Sequence, residues 1–327
     1  MKFCPECGAK LITQKFCQEC GANISKYLGN KGGSESSDSL AGFDFSALEN
    51  EASKQLREQE LLADFEVVDG VLIKYKGKGG KVTIPACINS IGKEAFKDND
   101  NITEVVIEDG VETIEGHAFF CATALRKVTI PNSVTRIAQY AFASCKALET
   151  VNIPNQLKTF SGLVFSGCTS LTDITFNPGN TYNIIDGNLY TKDCTCLILY
   201  ANRRYRAHFN IPRSVTLISG GAFSGCRTLI GVTIPDGVTS IETSAFSRCE
   251  NLTEVTIPGS VRTVGGGAFE NCLSLSRVEI CNGVEQFGWF AFAGCTSLKK
   301  IFFPKSVYEI GIGAIDDSTE ANVRGFL

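Results

Sequence analysis

The chain has 327 residues with a formal net charge of −4; it is 43% apolar and 20% charged. That balance suits a folded chain and excludes a disordered one. The mild acidity disfavours a surface built to neutralise nucleic-acid phosphates, and no run of eighteen or more apolar residues is present to span a membrane.

The N-terminus reads CPECGAKLITQKFCQECG from Cys4 to Gly21. A Cys-x-x-Cys turn presents two thiolates from one tight loop, and two such turns supply the four soft ligands of tetrahedral zinc. Cys4, Cys7, Cys17 and Cys20 are therefore expected to hold one structural Zn2+ in a small ribbon over residues 1–26. Four cysteine ligands leave no open position for substrate, and so small a unit depends on its metal to fold. Residues 1–30 carry Lys2, Lys10, Lys15 and Lys26 against Glu6 and Glu19, a weak footprint for nucleic acid. Lys2 is followed almost at once by Cys4 and Pro5, without the apolar stretch of an export signal, so a cytoplasmic location is expected.

Residues 27–45 read as a linker: Gly29 to Gly42 is rich in glycine, serine and charge. Ser46-Ala47-Leu48-Glu49 then has the form of a capping box, and Leu48, Ala52 and Leu56 make one apolar stripe. A helix over 46–63 is expected, covering the open N-terminal end of the domain that begins at residue 64.

From residue 64 onward the chain is governed by a repeat. Phenylalanine recurs at 96, 119, 142 and 165, then at 223, 246, 269 and 292; every step is 23 residues except one of 58. Val-Thr-Ile-Pro keeps the same phase at Val82, Val128, Val232 and Val255. In VTIPDGVTSIETSAFSRCENLTE (Val232 to Glu254), Val232 and Ile234 alternate with polar residues as in a half-buried strand. Pro235-Asp236-Gly237 supplies a turn, and Ala245-Phe246 fills the interior. One such unit cannot cover its own apolar side, but stacked units can, which predicts a solenoid over 64–327.

The pattern AFxxCxxLxxVxIPxxVxxI resembles the BspA-like leucine-rich-repeat family, over roughly residues 65 to 323. The resemblance implies a mainly β, right-handed superhelix with a parallel sheet along one face, used as a protein-binding surface. Exported members are associated with adhesion, but this sequence shows neither a signal peptide nor a wall-anchoring motif.

The long step contains an insert, residues 174–208, whose YNIIDGNLY echoes FEVVDGVLI at Phe65 to Ile73. Asp-Gly between short apolar runs predicts a β-hairpin in each. The insert concentrates Tyr182, Tyr190, Tyr200 and Tyr205 beside Arg203, Arg204 and Arg206. Tyrosine and arginine commonly anchor interfaces, so Tyr190, Tyr200, Arg203, Arg204, Tyr205 and Arg206 are the expected partner-binding residues; a packed hairpin with a basic tip is the competing explanation. Cys145, Cys168, Cys226, Cys249, Cys272 and Cys295 each follow a repeat phenylalanine by three residues and are expected as a column of small buried hydrophobes.

Catalysis finds little footing. His117 occupies a position held elsewhere by Glu94, Tyr140, Gly221, Ser244 or Phe290, and His208 has no evident nucleophile beside it. Gly265-Gly266-Gly267 lacks the lysine of a phosphate loop. The expectation is a non-enzymatic protein-binding scaffold with a structural zinc ribbon. A nucleic-acid-associated zinc-ribbon factor and an exported adhesin-like protein are the alternatives.

Overall fold

A computed structural model describes residues 62–157, 160–176, 181–201, 207–317 and 319–321. The chain divides into two compact units at Asp64/Phe65. The zinc ribbon, the linker and helix positions 46–61 lie outside the described residues.

From Phe65 the chain is a mainly β solenoid of stacked coils. Strands Gly80–Ile84, Ile102–Ile107, Lys127–Thr129, Thr150–Ile153 and Asp173–Phe176 form one parallel sheet. Strands His208–Asn210, Gly231–Thr233, Glu254–Ile257 and Arg277–Ile280 form a second. Their alternation is that of the sequence: in Glu254–Ile257, Val255 and Ile257 are buried while Glu254 and Thr256 face solvent. Two-residue strands such as Ser90–Ile91, Thr113–Ile114 and Ser240–Ile241 build a further pair of ladders on the other side of the turn.

Both Asp-Gly signals make hairpins, and each opens a short-strand ladder. Phe65–Val68 pairs antiparallel with Val71–Tyr75 through Asp69 (φ 50°) and Gly70 (φ 76°). Tyr182–Ile185 pairs antiparallel with Asn188–Thr191 through Asp186 (φ 54°) and Gly187 (φ 83°). Positive φ at both central residues is the tight turn that suits twisted strands, and it favours this dipeptide.

A third line of bonds runs along the Ala-Phe pairs. The Phe96 N–H donates to the Ala118 carbonyl at 2.7 Å; Phe119 to Ala141, Phe223 to Ala245 and Phe246 to Ala268 repeat the distance. The rings stack in the same direction: Phe96 on Phe119 at 4.5 Å, Phe119 on Phe142 at 4.8 Å, and Phe246 on Phe269 at 5.1 Å with planes 1° apart. Tyr75 and Tyr200 lead the two runs, on Phe96 at 5.0 Å and on Phe223 at 4.9 Å. Each ring adds about 0.5–1.5 kcal/mol of pair interaction to its area burial. Deleting a fully buried ring in such a column costs about 3–5 kcal/mol.

The cysteine column lies beside the rings and is buried throughout. The thiols of Cys145, Cys168, Cys249, Cys272 and Cys295 each donate to the carbonyl of the repeat phenylalanine one coil earlier, 3.1 Å away. These side chains are thus weak donors to backbone oxygens as well as space-fillers. Burial pushes the thiols of Cys226 and Cys249 above the usual range, and that of Cys272 well above it. For Cys295 the bond with Cys272 is the larger cause, followed by burial.

A thiol that is buried and held protonated is a poor nucleophile. Alkylation by iodoacetamide at mildly alkaline pH, mapped by peptide mass, should modify exposed Cys87 and spare the six column cysteines until denaturant is added. Modification of the column at the rate of Cys87 would contradict the packing.

Candidate functional site

The second parallel sheet carries a groove of about 1170 Å³ across its outward face. Register builds it. His208 stands opposite Gly231, Gly231 opposite Glu254, and Glu254 opposite Arg277; Thr256 stands opposite Glu279 in the adjacent row. Alternation sends these side chains away from the core, so each coil contributes one residue to each row. A Cβ on Gly231 would lie 2.7 Å from Cδ2 of His208, so the imidazole rests over a position that carries no side chain. Pro212, Pro235 and Pro258 border the groove where each strand ends.

The lining is amphoteric. Arg213 and Arg277 line it together with Asp236, Glu254 and Glu279, and Arg277 pairs with Glu279 at 3.6 Å. Glu254, Arg277 and Glu279 are exposed, so their charges are hydrated and screened. The arrangement offers hydrogen-bonding and ionic partners at the repeat of a parallel sheet, about 4.8 Å, which suits an extended polypeptide laid across the strands.

The residues expected to anchor a partner are distributed otherwise. Tyr190 and Tyr200 are 1% and 3% exposed and belong to the core, which removes them from any binding surface. The physical reason for Tyr200 is its place in the ruler: it precedes Phe223 by 23 residues and its N–H donates to the Ala222 carbonyl at 2.9 Å, so it fills the phenylalanine slot of its coil. Tyr182 is also buried; its hydroxyl donates to the Leu157 carbonyl at 3.4 Å, and burial raises its pKa. Arg203, Arg204, Tyr205 and Arg206 lie outside the described residues, as do Cys4, Cys7, Cys17 and Cys20. In the insert, the thiol of half-buried Cys196 is pushed up to about 12 by burial, with Glu242 and Asp193 adding to the shift. His117 sits on a corner at φ 61°, stacked on Tyr140 at 5.5 Å.

Two features went unrecognised in the sequence. The groove depends on coil-to-coil register, which places His208 against Gly231; residue type alone does not reveal this. Trp289 and Phe290 are 67% and 52% exposed. Their signal was present, since they fill positions given to Gly266 and Gly267 or to Thr243 and Ser244 in the preceding coils.

The model of the BspA type leucine rich repeat region, in six copies, matches residues 74–196 and 199–322. The chain belongs to the BspA-type leucine-rich-repeat family. Among solved structures, this BspA-type chain is similar to a leucine-rich repeat protein from Eubacterium ventriosum (21% identity, 80% of this chain and 93% of that one, TM-score 0.47). It is similar also to a leucine rich cell surface protein from Faecalibacterium prausnitzii (22% identity, 78% and 93%, TM-score 0.38). A third is the T. pallidum leucine rich repeat protein (23% identity, 72% and 88%, TM-score 0.39). No curated protein matches the sequence. Among the described residues, no helix is long and apolar enough to cross a membrane.

Proposed function

We propose that this BspA-type chain is a non-enzymatic scaffold whose solenoid binds another protein, with a structural zinc ribbon at its N-terminus. The observation that carries the binding reading is the groove on the second sheet, where His208, Glu254, Arg277 and Glu279 stand outward on parallel strands. A parallel sheet held by a rigid interior column is a pre-organised surface, which lowers the entropy cost of binding. The free thiols of the interior favour a reducing compartment, in keeping with a cytoplasmic location.

The metal reading rests on donor chemistry. Two Cys-x-x-Cys turns provide four thiolates, a closed set suited to zinc. Bound zinc would hold the small unit folded through Cys4, Cys7, Cys17 and Cys20.

Photocross-linking in cells tests the surface. With p-benzoylphenylalanine in place of Thr256 in the groove, a discrete protein adduct is expected, and it should be weaker or missing from the same substitution at Thr83 on the first sheet. Absence of a protein adduct at Thr256 would remove the groove from the account. Elemental analysis tests the ribbon separately: one zinc per chain is expected, lost in Cys4→Ser with Cys17→Ser and kept in Cys249→Ser. Zinc retained by the double variant would refute the ligand set.

A further inference from the structure

Two residues form the corner that precedes each Ala-Phe pair and the Ala314-Ile315 pair that continues the series. Along the chain the corner residues are Lys93-Glu94, Gly116-His117, Gln139-Tyr140, Gly220-Gly221, Thr243-Ser244, Gly266-Gly267, Trp289-Phe290 and Ile312-Gly313. The second member has positive φ in every one of these coils, from 56° at Ser244 to 71° at Gly221. Glycine takes that conformation freely, and a bulky aromatic does so at a cost. Phe290 takes it nonetheless, at φ 59°, and its ring is half exposed. Tyr140 shares this backbone at φ 62° but is less exposed, so what sets Phe290 apart is the exposure of a strained aromatic, the kind of position that clusters where a ligand is clamped.

The neighbouring coils leave the two rings open. The preceding coil has Gly266 and Gly267 at this corner. In the following coil, a Cβ on Gly311 would lie 2.6 Å from Cδ1 of Trp289, and one on Gly313 would lie 2.7 Å from Cε1 of Phe290. Both rings therefore rest on bare backbone with their far faces free. Ile312, 80% exposed, extends the apolar surface, and it is tied to the pair by the Phe290 N–H donating to its carbonyl at 3.2 Å.

Acidic and basic residues are segregated along this part of the chain, with Lys299, Lys300 and Lys305 lying between two stretches that hold no basic residue. Residues 286–298 and 306–321 contain no lysine or arginine, while Glu309, Asp316, Asp317 and Glu320 lie within them. Glu320 is neutralised by Lys300 at 2.9 Å. Among the described residues, Glu309 accepts a neutral amide bond, from Gln286 at 2.8 Å, and Asp316 accepts the Gly294 N–H at 3.1 Å. Glu270, in the preceding coil, has its Oε2 3.2 Å from where a Cβ on Gly267 would stand. Among the described residues, none of Glu270, Glu309 and Asp316 is ion-paired to lysine or arginine.

We propose that the Trp289–Phe290 corner is a second docking surface, and that it takes a basic, apolar polypeptide segment of a partner protein. An arginine or lysine of that segment lies over the indole face, where cation–π attraction and the carboxylates of Glu270, Glu309 and Asp316 act together. A large apolar side chain covers Phe290 and Ile312. Tryptophan is among the residues that most often concentrate binding energy. The proposal extends the protein-binding reading but rests on a different face from the groove, so the two fail separately.

Trp289 is the only tryptophan in the chain, so its emission reports this corner alone. The full-length protein is titrated with a synthetic peptide of alternating arginine and leucine, and with its counterpart carrying glutamate for arginine. The basic peptide should shift the emission saturably and the acidic one should not. Glu270→Gln with Glu309→Gln should weaken the affinity by about three- to tenfold. Ile312→Ala should also weaken it while leaving the melting temperature unchanged. No shift, equal shifts from both peptides, or unaltered affinity in the charge variant would overturn the proposal. So would indole emission already blue-shifted and shielded from acrylamide in the free protein, because the corner would then be covered by this chain itself or by a second copy.

Discussion

Everything in the solenoid depends on a coil being unable to finish itself. One unit of 23 residues places Phe, Leu, Val and Ile on a side it has no means of covering, and its turns close on themselves while strand and Ala-Phe amides such as that of Phe246 find partners only in a neighbouring coil. The next coil supplies both: the Phe246 N–H meets the Ala268 carbonyl at 2.7 Å, and the Phe246 ring meets that of Phe269 at 5.1 Å. Because the same atoms meet at each step, a side chain at any phase of the repeat is fixed along one of a few parallel columns. Interior columns tolerate little change, since a missing ring leaves a cavity that the rigid neighbours cannot close. Outward columns carry no such constraint, and there each coil differs from the next.

That division explains what was legible in the sequence. The spacing of phenylalanine, the Asp-Gly hairpins and the buried cysteine column all follow from local pattern plus stacking, and each appears where the pattern places it. The thiol bonds to the phenylalanine carbonyls were not legible, because they join residues 26 apart whose proximity exists only once coils are stacked. The insert misled for a related reason. Its tyrosines look like surface anchors when grouped by composition, yet Tyr200 is in phase with Phe223 and belongs to the ring column. Phase along the repeat was the better guide to burial than residue type.

The same logic separates surface features that carry information from those that do not. Exposed lysine, threonine and glutamate on the sheets meet the ordinary needs of a solvated strand face. A glycine that clears space for His208, or a pair of exposed aromatics at a corner that is Gly266-Gly267 one coil earlier, is not required by the stack. These departures from the repeat lie at the groove and at the Trp289–Phe290 corner. They are the two surfaces proposed above to meet a partner. The zinc ribbon stands apart from this reasoning, because its chemistry is set by four thiolates and by no property of the coils.

The central claim is that the interior columns hold the fold and the irregular pieces are added to it. Hydrogen exchange resolved to single amides tests this most directly. The amides of Phe119, Phe223, Phe246 and Phe269, each bonded to the next coil, should exchange slowest and by a common opening, with the turn at Asp186-Gly187 orders of magnitude faster. Exchange at those phenylalanine amides as fast as at the hairpin turn would show that the stack does not carry the stability, and would contradict the account.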